Sequence, residues 1–134
     1  MAESSIPDEL RYAETNEWAR RDGDEAIIGI TDYAQDELGD VVDVDLSALS
    51  AGDVIAAGGK FGDIESVKAT SELFAPVGGT IVRVNEALRD NAELVNSDPY
   101  GAGWMIVVRM SDAATLDHLM DAAQYRAFLG GAGH

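Results

Sequence analysis

The alternation of apolar and polar residues along the chain predicts a protein built mostly from short strands. Five segments are rich in Val and Ile and are bounded by Gly, Asp, Asn or Ser, as half-buried strands commonly are. They are 25–30, 41–46, 53–57, 80–84 and 104–109. In the second segment the alternation assigns Val42, Val44 and Leu46 to one face, and Asp43 and Asp45 to the other.

Turn and helix signals separate these strands. Asp22-Gly23-Asp24 predicts a hairpin between Trp18 and Ile27. Thr31 is a predicted N-cap for a short helix that ends at Leu38, before Gly39. A second helix, capped by Ser111 or Asp112, is predicted from about Ala113 to Leu129, because apolar residues recur there at helical spacing. Those residues are Leu116, Leu119, Met120, Ala123 and Ala127.

These elements predict a mainly β fold, a small sandwich or barrel with a short internal helix and a C-terminal helix. The length of 134 residues fits one domain, and neither a domain boundary nor a helical repeat is visible. We expect a single domain over residues 1–134 with its core at about 10–129, and flexible ends that include the C-terminal segment GGAGH.

The net negative charge of the chain limits the classes of partner that it is expected to bind. Its formal net charge is −16, a field that repels phosphate backbones and disfavours nucleic-acid binding. No segment approaches the ~20 apolar residues of a membrane-spanning helix. The first ten residues are acidic and resemble neither a secretory signal nor a transit peptide. The sequence therefore predicts a cytoplasmic protein.

The composition also leaves little material for catalysis. The chain has no Cys and two His, which excludes thiolate chemistry and disfavours a Ser–His–Asp arrangement or a His-rich metal site. His118 is interpreted as a solvated surface residue. Asp40, Asp43 and Asp45 are interpreted as a solvated strand face, since they lack the spacing of a calcium loop. No residue pattern predicts a self-sufficient enzyme, and no metal site is expected.

The segment 62–79, GDIESVKATSELFAPVGG, has the layout of a hairpin that presents a single lysine at its tip. Apolar residues approach Lys68 from one side and leave it on the other. Lysine is scarce here, because Lys60 and Lys68 are the only two in the chain. An exposed lysine is usually a solvating residue. This scarcity and the small and acidic neighbours of Lys68 favour a specific use of its amine.

These residues resemble the H-protein family of the glycine cleavage system. Glu65-Ser66-Val67-Lys68-Ala69 matches the E-S-V-K-A motif, whose lysine is lipoylated in that family. The similarity continues in matching order over roughly residues 10–129, through Glu17-Trp18, GITDYAQ at 29–35, Asn85-Glu86-Ala87-Leu88 and Asn96-Ser97-Asp98-Pro99-Tyr100. The resemblance implies a lipoyl/biotinyl-like barrel-sandwich hybrid fold.

The resemblance also implies a function. Lipoate on Lys68 would carry an aminomethyl group from a pyridoxal-phosphate glycine decarboxylase to an aminomethyltransferase that uses tetrahydrofolate. A dihydrolipoyl dehydrogenase would then reoxidise the arm with NAD. Lipoate ligase or lipoyl transferase would be the modifying partner. The chain would be a carrier and a substrate of these enzymes, not an enzyme itself.

Further site residues are predicted around the lysine. Glu65 lies three residues before Lys68, close to the hairpin tip, and is a candidate for recognition during lipoylation. The resemblance implies that Thr15, Glu17 and Glu72 are candidates for holding the loaded arm, whose amine is cationic. Two positions depart from the family pattern. Asn16 replaces the usual His, which removes a titratable group beside Glu17, and Asp43 replaces a bulky apolar residue.

Related carriers differ at the motif itself. Biotin carriers typically have M-K-M, and the lipoyl domains of 2-oxoacid dehydrogenases typically have D-K-A, whereas this chain has Val67-Lys68-Ala69. Two alternatives with the same fold remain open at this point. One is a relay that hands lipoyl groups to other enzymes, and the other is an interaction module in which Lys68 is never modified.

Overall fold

The computed structural model describes residues 6–132, which form two antiparallel sheets and several short helices. The larger sheet has six strands, in the spatial order β1 (Arg11–Tyr12), β2 (Glu17–Asp22), β3 (Glu25–Ile30), β9 (Ile106–Met110), β8 (Gly79–Val84) and β5 (Val54–Ile55). The smaller sheet has the order β4 (Val41–Asp45), β6 (Lys60–Ser66) and β7 (Thr70–Phe74). The α-helices are α1 (Asp32–Leu38), α2 (Leu94–Ser97) and α3 (Ala122–Ala132), and 3₁₀ turns cover Glu86–Arg89 and Ala113–His118.

Both sheets contribute to one hydrophobic core. Ile28 and Val108 come from the larger sheet, Ile64 and Leu73 come from the smaller one, and all four are buried. Since each strand turns one face to this core, the sheets close on each other as a sandwich. The predicted mainly β class is confirmed.

Two predicted local structures are confirmed in detail. The hairpin from β2 to β3 turns at Gly23, where φ is +65°, a conformation that glycine adopts without strain. Thr31 caps α1 by accepting a hydrogen bond from Ala34 N (3.1 Å), and Gly39 ends the helix with φ of +77°.

The predicted face of the strand 41–46 is partly wrong. Val44 and Leu46 are buried as expected, but Val42 is 54% exposed and Val41 is buried instead. The register between β4 and β6 shifts between Val41 and Asp43. This irregularity breaks the alternation at Val42, as a β-bulge does.

The predicted C-terminal helix from Ala113 to Leu129 is not continuous. Met120 pairs with Tyr12 through two backbone hydrogen bonds of 2.8 and 2.9 Å, so the chain is extended there. The helix after this break buries Ala122 and Tyr125, while Ala123 and Ala127, predicted to face inward, are exposed.

The ends of the chain were expected to be flexible. Residues 130–132 of GGAGH continue α3, so the predicted end at Leu129 is too early. Residues 1–5 and 133–134 lie outside the described residues. No helix within residues 6–132 has both the length and the apolar character needed to span a bilayer.

Candidate functional site

Lys68 lies in a tight turn that joins β6 to β7. The two strands stay paired up to Glu65 and Thr70, and the exposed Lys68 lies between them. The hydroxyl of Ser66 organises this turn. It accepts hydrogen bonds from Lys68 N (3.3 Å) and Ala69 N (3.1 Å) and donates one to the Ala69 carbonyl (3.1 Å). The backbone of Lys68 is therefore held while its side chain is accessible.

The lysine turn also contacts the end of α1. Val67 N donates a hydrogen bond of 3.0 Å to the Asp40 carbonyl. The stem of Lys68 passes over Gly39, where a Cβ would lie 3.4 Å from Lys68 Cε. The stem therefore lies against the C-terminal end of α1, the helix that forms one wall of a nearby pocket.

That pocket, which we call the arm pocket, has a volume of about 260 Å³. One wall is the turn before β2, with Thr15, Asn16 and Glu17, and a second wall is α1. The third wall is made by β6 and β7, including Ile64, Ser71, Glu72 and Leu73. The structure thus brings Thr15, Glu17 and Glu72, which are separated by up to 57 positions, to one pocket beside the lysine turn.

Glu17 is the buried acid of the arm pocket, with 1% exposure. Its carboxylate accepts hydrogen bonds from the Thr15 hydroxyl and, at 3.1 Å, from Phe74 N. Burial raises the pKa of Glu17 from 4.5 to about 7, although these hydrogen bonds act in the opposite direction. Among the ion pairs of residues 6–132, none involves Glu17. The pocket therefore offers a buried acceptor suited to a cationic group.

The other two candidate acids are in different surroundings. Glu72 is exposed at the rim and pairs with Lys60 at 3.3 Å, while Lys60 also contacts Asp63 at 2.9 Å. Glu65 is exposed on β6, next to the lysine turn but not among the residues that line the arm pocket. Asp40, Asp43, Asp45 and His118 are all exposed, as predicted.

Some functional positions were not predicted from the sequence. The sequence identifies Ser66 only as part of the motif, although a Ser two residues before Lys68 is typical of the side-chain turns that Ser forms. No sequence pattern predicted that α1 forms a wall of the pocket, because the packing of a helix against a distant turn is not visible in a linear pattern. The residues of this wall include Tyr33, Glu37 and Leu38. A larger cavity of about 410 Å³, between β4 and residues 84–89, contains none of the predicted site residues.

A two-sheet fold with an exposed lysine held at a hairpin tip is typical of carrier domains. The profile of the family described as glycine cleavage H-protein matches residues 10–131. The glycine cleavage system H protein of Bacillus licheniformis is 54% identical over 121 residues, which cover 90% of this chain and 94% of that protein. The H protein of Anaeromyxobacter sp. strain K is 52% identical over 124 residues, covering 92% and 95%.

A crystal structure of a glycine cleavage system H protein from Mycobacterium marinum superposes with a TM-score of 0.81 at 34% identity, covering 96% of this chain and all of that one. The chain therefore belongs to the glycine cleavage H-protein family. Members of this family are lipoyl carriers rather than catalysts, and this chain is a lipoyl-carrying shuttle protein.

Proposed function

We propose that Lys68 is the residue that carries lipoate, through an amide between its Nζ and the lipoyl carboxyl group. The observation that carries this proposal is the turn itself, where Ser66 fixes the backbone and leaves the amine of Lys68 exposed. When attached, the lipoyl group supplies the disulfide that this Cys-free chain lacks. Lys60, the other lysine, is engaged with Asp63 and Glu72 and serves as the natural control.

The test is lipoylation of the wild type, Lys68→Arg and Lys60→Arg by a lipoate ligase, followed by assay of glycine decarboxylation with the partner enzymes. Arg keeps the positive charge but cannot form the amide, so Lys68→Arg is expected to lose both modification and carrier function at an unchanged melting temperature. Lys60→Arg is expected to retain both. Carrier activity in Lys68→Arg would refute the assignment.

We also propose that the arm pocket holds the loaded end of the arm. The aminomethyl group carries an ammonium at neutral pH, and Glu17, assisted by Thr15, is the acceptor best shielded from water. Glu72 adds a second carboxylate at the rim, where Lys60 already neutralises part of its charge. Docking there would keep the one-carbon unit from water between partner enzymes. Glu65, outside the pocket, is proposed to guide the lipoylating enzyme.

The proposed partners are the glycine decarboxylase, the aminomethyltransferase, the dihydrolipoyl dehydrogenase and a lipoate ligase or lipoyl transferase, meeting the carrier in the cytoplasm. A tether makes delivery to each of them local, with effective concentrations of roughly millimolar order. We further propose that residues 1–134 form a single carrier domain with its core at about 10–129. The shared core of the two sheets and the family match over 10–131 support this division.

A further inference from the structure

The hydroxyl of Tyr125, on α3, contacts two segments that also contribute walls to the arm pocket. It is 2.8 Å from Asn16 Oδ1, in the turn that carries Thr15 and Glu17. It is also 2.8 Å from Thr31 Oγ1, the N-cap of α1. One phenol therefore contacts both the turn before β2 and the start of the helix that faces it.

The direction of these hydrogen bonds follows from the groups involved. The carboxamide oxygen of Asn16 only accepts, so Tyr125 donates its single proton there. The phenol oxygen must then accept from Thr31, whose own oxygen accepts from Ala34 N. The result is a directed chain from the α1 backbone to the Asn16 side chain. Burial raises the pKa of Tyr125 above its ordinary value, so the phenol stays protonated as this chain requires.

Asn16 has little freedom to find another arrangement. Its φ is +73°, in the left-handed region, and it is the only non-glycine residue among 6–132 with a positive φ. Its backbone N donates to Ala13 O (2.9 Å), and its carbonyl accepts from Thr31 N (3.0 Å). Because Asn16 stands between Thr15 and Glu17, its position sets the position of both docking residues.

Tyr12 provides a matched comparison for Tyr125. The two buried rings are stacked, with centroids 4.6 Å apart and planes within 4°. The hydroxyl of Tyr12 points elsewhere and donates to the Pro7 carbonyl at 2.6 Å. Tyr→Phe at either position therefore removes one hydroxyl and keeps the stacked rings. Of these two hydroxyls, only that of Tyr125 contacts a residue that lines the arm pocket.

We propose that Tyr125 is a positioning residue of the arm pocket, whose hydroxyl ties the Asn16 turn to the N-terminus of α1 and so holds Glu17 in its shielded position. The inference rests on the proposed docking role of the pocket. It assigns a role in the geometry of the site to α3, although none of the described side chains of that helix lines the pocket.

The first test uses protein without lipoate and measures the pKa of Glu17 by carboxyl NMR in wild type, Tyr125→Phe and Tyr12→Phe. The other acids of the pocket lining, Glu37 and Glu72, are exposed and serve as internal references. Tyr125→Phe is expected to admit water and move the pKa of Glu17 from about 7 toward 4.5. Tyr12→Phe is expected to leave it near 7. An unchanged value in Tyr125→Phe, or equal changes in both variants, would overturn the proposal.

The second test loads the lipoylated protein with the aminomethyl group, removes the enzymes and follows one-carbon loss. Tyr125→Phe is expected to accelerate the loss about three- to tenfold, as removal of one buried hydrogen bond would, with lipoylation at the wild-type rate. Tyr12→Phe is expected to match wild type. If Glu17→Gln also decays like wild type, the docking role fails, and the NMR result alone then decides whether Tyr125 positions Glu17.

Asn16→Gly approaches the same contact from its other end and covers the case in which Tyr125→Phe fails to fold. Glycine keeps the left-handed backbone but removes the acceptor of the Tyr125 proton. The pKa of Glu17 and the decay rate are expected to change as in Tyr125→Phe. Combining both substitutions should add little to either one. Fully additive effects in the double variant would contradict the proposed contact.

Discussion

At the scale of single residues, burial separates Glu17 from the other acids of this acidic chain. The sequence has 25 Asp and Glu residues, and its pattern alone does not rank one above another. The resemblance pointed to Glu17, and the structure adds the physical reason for a special role. Its carboxylate is enclosed by Thr15, Phe74 and α1 and makes no ion pair within residues 6–132, so its charge is costly in the folded protein.

This cost predicts a pH dependence of stability. The folded pKa of Glu17 is about 7 and its ordinary value is 4.5, so the folded protein binds the proton more tightly than the unfolded chain. The contribution of this residue to stability is then highest below about pH 4.5 and decreases as the pH rises from there to about 7, by about 3 kcal/mol in total. Glu17→Gln should remove this decrease. Urea unfolding of wild type and Glu17→Gln at pH 5 and pH 8 measures this decrease. The same change in the free energy of unfolding in both proteins would contradict the burial argument.

The charge of Glu17 also predicts how the loaded arm behaves. If Glu17 holds the ammonium, Glu17→Gln should speed one-carbon loss several-fold, and added salt should narrow the difference. Glu72→Gln should have a smaller effect, because Glu72 is exposed and paired with Lys60. Loading by the decarboxylase should change less in both, since the oxidised arm is uncharged. Wild-type decay in Glu17→Gln, measured after removal of the enzymes, would contradict the docking role.

At the level of helices and strands, the sequence patterns predicted most elements along the chain but not which of them contact one another. The lysine hairpin, the hairpin at Gly23 and helix α1 follow from strand periodicity, turn residues and caps, all of which are local. The C-terminal helix was mispredicted because Met120 pairs with Tyr12, more than a hundred positions away. Val42 was misplaced by an irregularity between β4 and β6. Both errors come from non-local pairing that overrides local spacing.

In the lysine hairpin, substitutions of Ser66 and Glu65 are expected to have different effects on stability and on lipoylation. Ser66→Ala removes the acceptor of Lys68 N and Ala69 N, so it should lower the free energy of unfolding by about 1 kcal/mol and slow lipoylation. Glu65→Ala, on the exposed face, should slow lipoylation without changing the denaturation midpoint. Ligase kinetics and urea unfolding separate the two. Wild-type lipoylation in Ser66→Ala would show that the ligase does not need the ordered turn.

At the scale of the whole molecule, the fold brings together residues that are far apart in sequence. The turn at Asn16, helix α1, the strands β6 and β7 and the distant Tyr125 converge on the arm pocket beside Lys68. The fold class, the lysine at the hairpin tip and the candidate docking acids could be predicted from the motifs and the family resemblance. The α1 wall and the contact of Tyr125 could not. The first depends on how α1 packs against the core that the two sheets share, and the second depends on how α3 packs with Tyr12 and Trp18 in a separate cluster.

Attachment of the lipoyl group to Lys68 can be checked by the mass of the protein isolated from its native host grown with sufficient lipoate. The chain has only two lysines, so peptide mapping distinguishes Lys68 from Lys60 without ambiguity. We expect one added lipoyl group, located on Lys68, with Lys60 unmodified. An unmodified mass, or a lipoyl group on Lys60, would contradict it.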